Sequence, residues 1–176
     1  ASKIGADKIA ESFYCAYDLP VVTVRPFNTF GPRQSARAVI PTIISQVLTQ
    51  DQLHIGNLDT RRDFTYIDDT VAGFIKAAER ENEHGQVFNL GTGVDVTIQE
   101  IIDLVFSITG KSLPIVQQAA RMRPEKSEVT RLLSDNSKAQ EALGWVPKIT
   151  FEEGLRLTVE WIAEHLDVYR PEKYQR

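Results

Sequence analysis

Two hydrophobic periods alternate along this chain, and that alternation limits the folds open to it. Val21, Val22 and Val24 form a nearly continuous apolar run between Pro20 and Pro26, and GQVFNLGTG (residues 85–93) is a second compact run ending in glycines. Runs without in-out alternation predict strands of a parallel sheet covered on both faces. Elsewhere the period is helical: Ile40, Ile43, Ile44, Val47 and Leu48; then Ile98, Ile101, Ile102, Val105 and Ile108; then Leu155, Val159, Ile162 and Leu166. LHIG (residues 53–56) and RDFTYID (residues 62–68) read as short strands around a turn at residues 57–59, and LPIVQQ (residues 113–118) as another strand. Strands alternating with helices across short loops predict an α/β fold.

Helix ends are marked locally. Thr97 with Glu100 predicts a capping box, Gly110 a C-cap, and Asp68 or Asp69 an N-cap for TVAGFIKAAER (residues 70–80). Ser137 with Gln140 should open a short helix ending at Gly144, and Thr150 with Glu153 the last long one. At the amino end Ala6, Ile9, Ala10, Phe13 and Tyr17 share one helical face, with no cap or turn ahead of them. That pattern reads as the middle of a helix, so something is expected to stand in front of Ser2-Lys3.

Composition excludes several classes. The 176 residues suit one ordinary domain or one and a half small ones, and 42% are apolar, enough for a real core. With 24 acidic against 20 basic side chains the net charge is −4, which argues against a general nucleic-acid binder. No apolar run approaches the roughly 20 residues that span a bilayer, so no membrane partner is expected. A single Cys15 forms no internal disulfide and points to a reducing, cytoplasmic setting, with the thiol packed as a small apolar side chain. His54, His84 and His165 lack ligand spacing, so no metal is expected.

Three polar segments carry the chemistry. RPFNTFGPRQ (residues 25–34) follows a parallel strand, where ligands of open α/β sheets bind; Asn28 is either a site amide or a turn cap. RRDFTYIDD (residues 61–69) opens a strand with two arginines, one pointing in. Arg62 then either meets a phosphate, which its planar fork matches, or pairs with Asp63, Asp68 or Asp69. ARMRPEKSEVTRL (residues 120–132) places Arg121, Arg123 and Arg131 in an irregular loop, as solvated charge or as function. Together Arg62, Arg123 and Asn28 outline an anion site large enough for a diphosphate.

In order and spacing, ASKIGADKIAESFY, VRPFNTFGPRQ, AVIP, RRDFTYIDD, VFNLGTG, RPEKSEV and DNSKAQEALGWVPKITFEEGLRLTVEWI cover essentially the whole chain. This concatenation resembles the extended short-chain dehydrogenase/reductases that act as NAD-dependent nucleotide-sugar epimerases and dehydratases. The resemblance implies the C-terminal part of a Rossmann-like parallel sheet plus the small α/β substrate-binding domain. Residues 1–35 would end the NAD-binding domain, and residues 36–176 would be mainly substrate domain, with 62–92 returning to the Rossmann sheet.

The resemblance also supplies roles. Lys3 matches the lysine of the family's Tyr-x-x-x-Lys, whose tyrosine would lie two residues upstream of Ala1. Residues four apart share a helical face, so the ammonium would favour the phenolate and let the phenol act as general acid/base on a sugar hydroxyl. The family lysine also bonds the nicotinamide ribose, and Phe27 lies where the family approaches the nicotinamide. Asn28 would contact the diphosphate of a UDP-, GDP- or dTDP-sugar, Arg62 and Arg123 would grip its phosphates, and the backbone at Val39 and Ile40 would face the base. RPEKSEV departs from the common Arg-Pro-Gly form, and its wording is nearest to the branch serving surface-polysaccharide sugars. GTGVD (residues 91–95) lacks the spacing of the glycine-rich dinucleotide fingerprint. The chain alone is therefore expected to be inactive in 4-epimerisation or 4,6-dehydration, and to work as part of a larger enzyme. A non-enzymatic binding or oligomerisation module is the other reading. Its first helix, placed by the family in a dimer interface, predicts a homodimer or swapped oligomer.

Overall fold

The computed structural model describes residues 1–122 and 128–169. In chain order these form α1 (Ser2–Tyr17), β1 (Thr23–Pro26), β2 (Asn28–Phe30), α2 (Val39–Thr49), β3 (Leu53–Ile55), β4 (Arg61–Tyr66), α3 (Ile67–Ala78), β5 (Val87–Leu90), β6 (Asp95–Thr97), α4 (Ile98–Thr109), β7 (Ile115–Gln117), β8 (Arg131–Leu132), α5 (Ser137–Leu143) and α6 (Phe151–Glu164). The α/β expectation holds. Pairings β1–β5, β2–β4, β3–β7 and β4–β8 are parallel, and β4–β6 is antiparallel.

β4 is the shared strand. Its first half pairs with β6 and β8 and its second half with β2, so three distant stretches meet on six residues. The two strands flanking residues 57–59 do not form a hairpin. Asn57 Oδ1 accepts from the Asp59 N–H at 2.9 Å and turns the chain, but β3 pairs with β7 and β4 elsewhere.

Two hydrophobic clusters follow from the helical stripes. In the larger, α2, α4 and α6 pack together through Ile43, Ile44, Ile101, Ile102, Leu155 and Ile162, against Phe30, Phe64 and Tyr66 of β2 and β4. Phe30, Phe64, Tyr66 and Phe151 interlock there with ring centroids 5.2–6.1 Å apart, a spacing that favours tilted and edge contacts. Burial first, and the Asp68 charge second, raise the Tyr66 phenol above its ordinary pKa. In the smaller cluster Phe88 and Leu90 of β5 meet Ala77, Ala139, Leu143 and Trp145, with Val22 and Val24 alongside. β5 buries that face, while Val87 and Asn89 on the other stay half-exposed. Within this chain the strand is thus covered on one side, against the expectation of two, because α3 and α5 both lie on the same face.

The capping box at Thr97, the Gly110 and Gly144 C-caps and the Thr150 N-cap form as predicted. Neither Asp68 nor Asp69 caps α3; both lie inside its first turn, after Tyr66. Asp69 instead accepts the N–H groups of Lys148 (3.0 Å) and Ile149 (2.9 Å), while its carbonyl accepts Trp145 Nε1 (2.9 Å). It ties α3 to the segment entering α6. α5 starts after Asn136, not at a Ser137 cap, since the Ser137 hydroxyl donates to Asp135 Oδ1 at 2.6 Å. Cys15 is exposed, not packed, because α1 buries no side chain in this chain and is held to β1 by Arg25, which grips Asp7 through Nε (2.9 Å) and Nη2 (2.6 Å).

Two predictions rest on this packing. A Cβ on Gly154 of α6 would meet Tyr66 Cδ2 at 2.7 Å and Phe30 Cζ at 2.9 Å. Overpacking costs about 1–3 kcal/mol, more than the ~1 kcal/mol Ala gains in helix propensity, so Gly154→Ala should lower the urea midpoint. The second concerns Asp95, which joins Arg131 and Arg61 across β8, β6 and β4. The Arg131 hydrogen bond, with that of Arg61 and against burial, holds its carboxyl below the usual range. A depressed carboxylate stabilises the fold above its unfolded pKa and stops doing so as pH falls through the folded value. Stability should therefore fall below about pH 4, and Asp95→Asn should flatten that acid limb in a pH series of unfolding curves.

Candidate functional site

Alternation along β4 creates the site. Arg61, Asp63 and Thr65 project to one face, and Arg62, Phe64 and Tyr66 to the other. Asp63 fixes that choice. Fully buried, its carboxylate accepts the N–H groups of Thr92 (2.8 Å), Gly93 (2.9 Å) and Ser134 (3.1 Å) and the hydroxyls of Thr92 (2.7 Å) and Ser134 (2.6 Å). With Asp63 pinned on one face, Arg62 and Phe64 enter a cleft of about 530 Å³ on the other, within the size range of small-molecule sites.

Asn28 stands across from them. Its Nδ2 donates to the Asp63 carbonyl at 3.1 Å, which orients the amide and leaves its oxygen as an acceptor. The turn after β2 is tight: Gly31 has φ +147°, and a Cβ there would lie 2.6 Å from Ile67 Cγ2. Gln34 closes this wall, donating from Nε2 to the Thr29 carbonyl at 2.8 Å, while its own carbonyl accepts Tyr169 Oη at 3.0 Å. Burial pushes the Tyr169 phenol above its ordinary pKa. Gln34 Oε1 is buried without a hydrogen-bond partner among the described residues. Nothing in the sequence flagged this cleft-lining acceptor.

The third wall is the start of α2. Its cap, Ala38, is extended and offers no side-chain acceptor, so the first amides at Val39 and Ile40 keep the partial positive charge of a helix start. Val39, half-buried, and Ile40, only 1% exposed as a whole residue, both line the cleft. Arg37, Arg62 and Arg121 line the site against one described carboxylate, Glu128. Arginines at three lining positions and a helix start favour an anion.

Arg62 pairs with none of the carboxylates weighed for it. Its Nη2 donates to Glu128 Oε1 at 3.1 Å and its Nη1 to the Arg61 carbonyl at 2.8 Å. Asp63 points to the opposite face, and Asp69 serves Lys148 and Ile149. Of the sequence-predicted residues, Asn28, Val39, Ile40 and Arg62 line one cleft. Phe27 lies just outside that lining, its N–H donating to the Leu90 carbonyl at 2.8 Å where β1 ends. Lys3 is exposed on the first turn of α1, away from the cleft lining. Arg123 lies outside the described residues. Arg131, expected in a loop, belongs to β8, while Arg121 lines the cleft and its Nε donates to Gln118 Oε1 at 2.9 Å.

Known proteins share this architecture. A GDP-6-deoxy-D-mannose reductase of Pseudomonas aeruginosa is 30% identical over 161 residues, covering 88% of this chain and 52% of that protein. An epimerase from Methanothermobacter thermautotrophicus superposes with a TM-score of 0.87 at 30% identity, covering 96% of this chain and 50% of the other. The UDP-glucuronic acid 4-epimerase of Bacillus cereus, solved with UDP-glucuronic acid and NAD, gives 0.85 at 30% identity over 93% and 51%. The chain spans about half the length of the relatives it matches. Residues 1–158 match the family model described as GDP-mannose 4,6 dehydratase. The chain belongs to that family, within the extended short-chain dehydrogenase/reductases.

Proposed function

We propose that this chain supplies the nucleotide-sugar diphosphate site of an NAD-dependent 4,6-dehydratase or 4-epimerase. One observation carries the reading: Asn28, Arg62 and the first turn of α2 converge on a single cleft rich in guanidinium groups. Arg62 would hold phosphate, the Asn28 amide would fix the diphosphate's orientation, and the backbone at Val39 and Ile40 would face the base. Arg123 joins this set by resemblance. UDP-, GDP- and dTDP-sugars all fit that chemistry.

NAD would be met only in part by these residues. β1 and β5 are parallel and end together, a geometry that suits a ligand beyond their carboxyl ends. Phe27 follows there, half-buried, and Lys3 is exposed on the first turn of α1. Lys3 would bond the nicotinamide ribose and support an adjacent phenolate; Phe27 would border the nicotinamide. The cofactor, when bound, supplies hydride acceptance from the sugar. This chain contains no glycine-rich fingerprint, so we expect it to bind nucleotide-sugar without turning it over.

The same reading assigns residues 1–35 and 62–92 to the cofactor-binding unit and most of 36–176 to the substrate unit. The clusters around Phe88 and around Ile101 follow that division only in part: Phe30, Phe64 and Tyr66 pack with Ile101, and α5 and Trp145 pack with Phe88. A second reading, an oligomerisation module, is favoured by α1, which leaves Ile4, Ile9, Phe13 and Tyr17 exposed. A homodimer or swapped oligomer accommodates both readings.

Calorimetry with UDP-glucose, GDP-mannose and dTDP-glucose tests the site. At least one should bind, and Arg62→Ala should weaken it about tenfold or more, as expected for a lost charge-assisted hydrogen bond of about 1.5–3 kcal/mol. Arg62→Lys should recover part of the loss, since charge remains without the planar fork. Binding unchanged by Arg62→Ala would remove the proposal. Light scattering should show a dimer or larger species; a clean monomer would count against the assembly.

A further inference from the structure

The cation proposed to hold phosphate is already paired inside the cleft. Arg62 Nη2 reaches Glu128 Oε1 at 3.1 Å, and the two side chains are 15% and 14% exposed. One N–H of the other terminal nitrogen is committed to the Arg61 carbonyl. A phosphate approaching the Arg62 fork therefore meets the Glu128 carboxylate beside it, in surroundings where little water screens like charges. Glu128 lies in irregular chain ahead of β8, outside any helix or strand. An ion pair this enclosed stabilises itself only while both charges stay matched, so a ligand phosphate must replace Glu128 at Arg62 or share the guanidinium with it.

The cost of sharing depends on the ligand's charge. A phosphate esterified at both ends carries one negative charge, whereas a free terminal phosphate carries about 1.5 to 2 at neutral pH. Repulsion from Glu128 thus rises with the second kind. We infer that Glu128 determines specificity by competing for Arg62, favouring a diphosphate esterified at both ends over one with a free terminal phosphate. The inference rests on the diphosphate reading of the cleft. It gives the site a means of excluding free nucleoside diphosphate while retaining nucleotide-sugar.

Glu128→Gln tests it, because the amide keeps the shape and the Oε1 acceptor while removing the charge. Affinities are measured by calorimetry for UDP against UDP-glucose and for GDP against GDP-mannose, with urea curves recorded alongside. Removing the charge should tighten the free diphosphate about fivefold more than its sugar ester. Glu128→Asp, which withdraws the carboxylate by one methylene, should move the preference the same way by less. Equal changes for both ligands, or weaker binding that tracks a loss of stability, would overturn the inference and leave the diphosphate site standing. If neither of these pairs nor dTDP with dTDP-glucose binds the unsubstituted chain, the diphosphate reading fails and the inference falls with it.

Discussion

Much of this structure depends on how one buried carboxylate is satisfied. An aspartate removed from water is costly unless donors surround it. Asp63 has five, drawn from Thr92, Gly93 and Ser134. Those donors come from the loop after β5 and the stretch after β8, so one side chain joins segments that lie 29 to 71 positions away in sequence. Since neighbouring strand residues face opposite ways, holding Asp63 down on one side lifts Arg62 into the cleft on the other. The Asp63 carbonyl also receives Asn28 Nδ2. A single residue therefore aligns two of the groups that line the cleft.

The walls of the cleft are stiffened from behind. Phe64 reaches from the cleft lining into the aromatic cluster with Phe30, Tyr66 and Phe151, and α6 approaches those rings at Gly154. Ile43 and Ile44 anchor α2 in the same core, so the start of that helix is held as a fixed donor surface. The helix start is polar where it meets the cleft and apolar where it meets the core. Placement of the amides at Val39 and Ile40 thus follows from burial of the residues just beyond them.

Most of the fold was legible because its signals are local. Helical stripes, the Thr97–Glu100 box and the glycine C-caps are written within a few residues, and each formed. Partners distant in sequence were not legible. Asp69 looked like a cap because it precedes an apolar helix, yet its acceptors are used 79 and 80 positions later by Lys148 and Ile149. Arg62 was recognisable as an inward cation from its strand position, but nothing near it in sequence pointed to Glu128, 66 positions away. The one-sided cover of β5 was hidden for another reason: Val87 and Phe88 are equally apolar, and only the placement of α3 and α5 decides which is buried. Within the site, Asn28 and Arg62 were outlined from their own segments and given roles by family resemblance, whereas Val39 and Ile40 came from the resemblance alone, since a helix start carries little information. Gln34 and Glu128 carried no signal at all.

On the reading proposed above, Arg62, Asn28 and the first turn of α2 act on one ligand. Side-chain and backbone NMR shifts during titration with UDP-glucose and GDP-mannose test it most directly. For the nucleotide-sugar that binds, the Arg62 guanidinium, the Asn28 amide and the Ile40 N–H should move together along one saturation curve. Shifts confined to α1 or to the β1–β5 edge, with those three signals still, would contradict it.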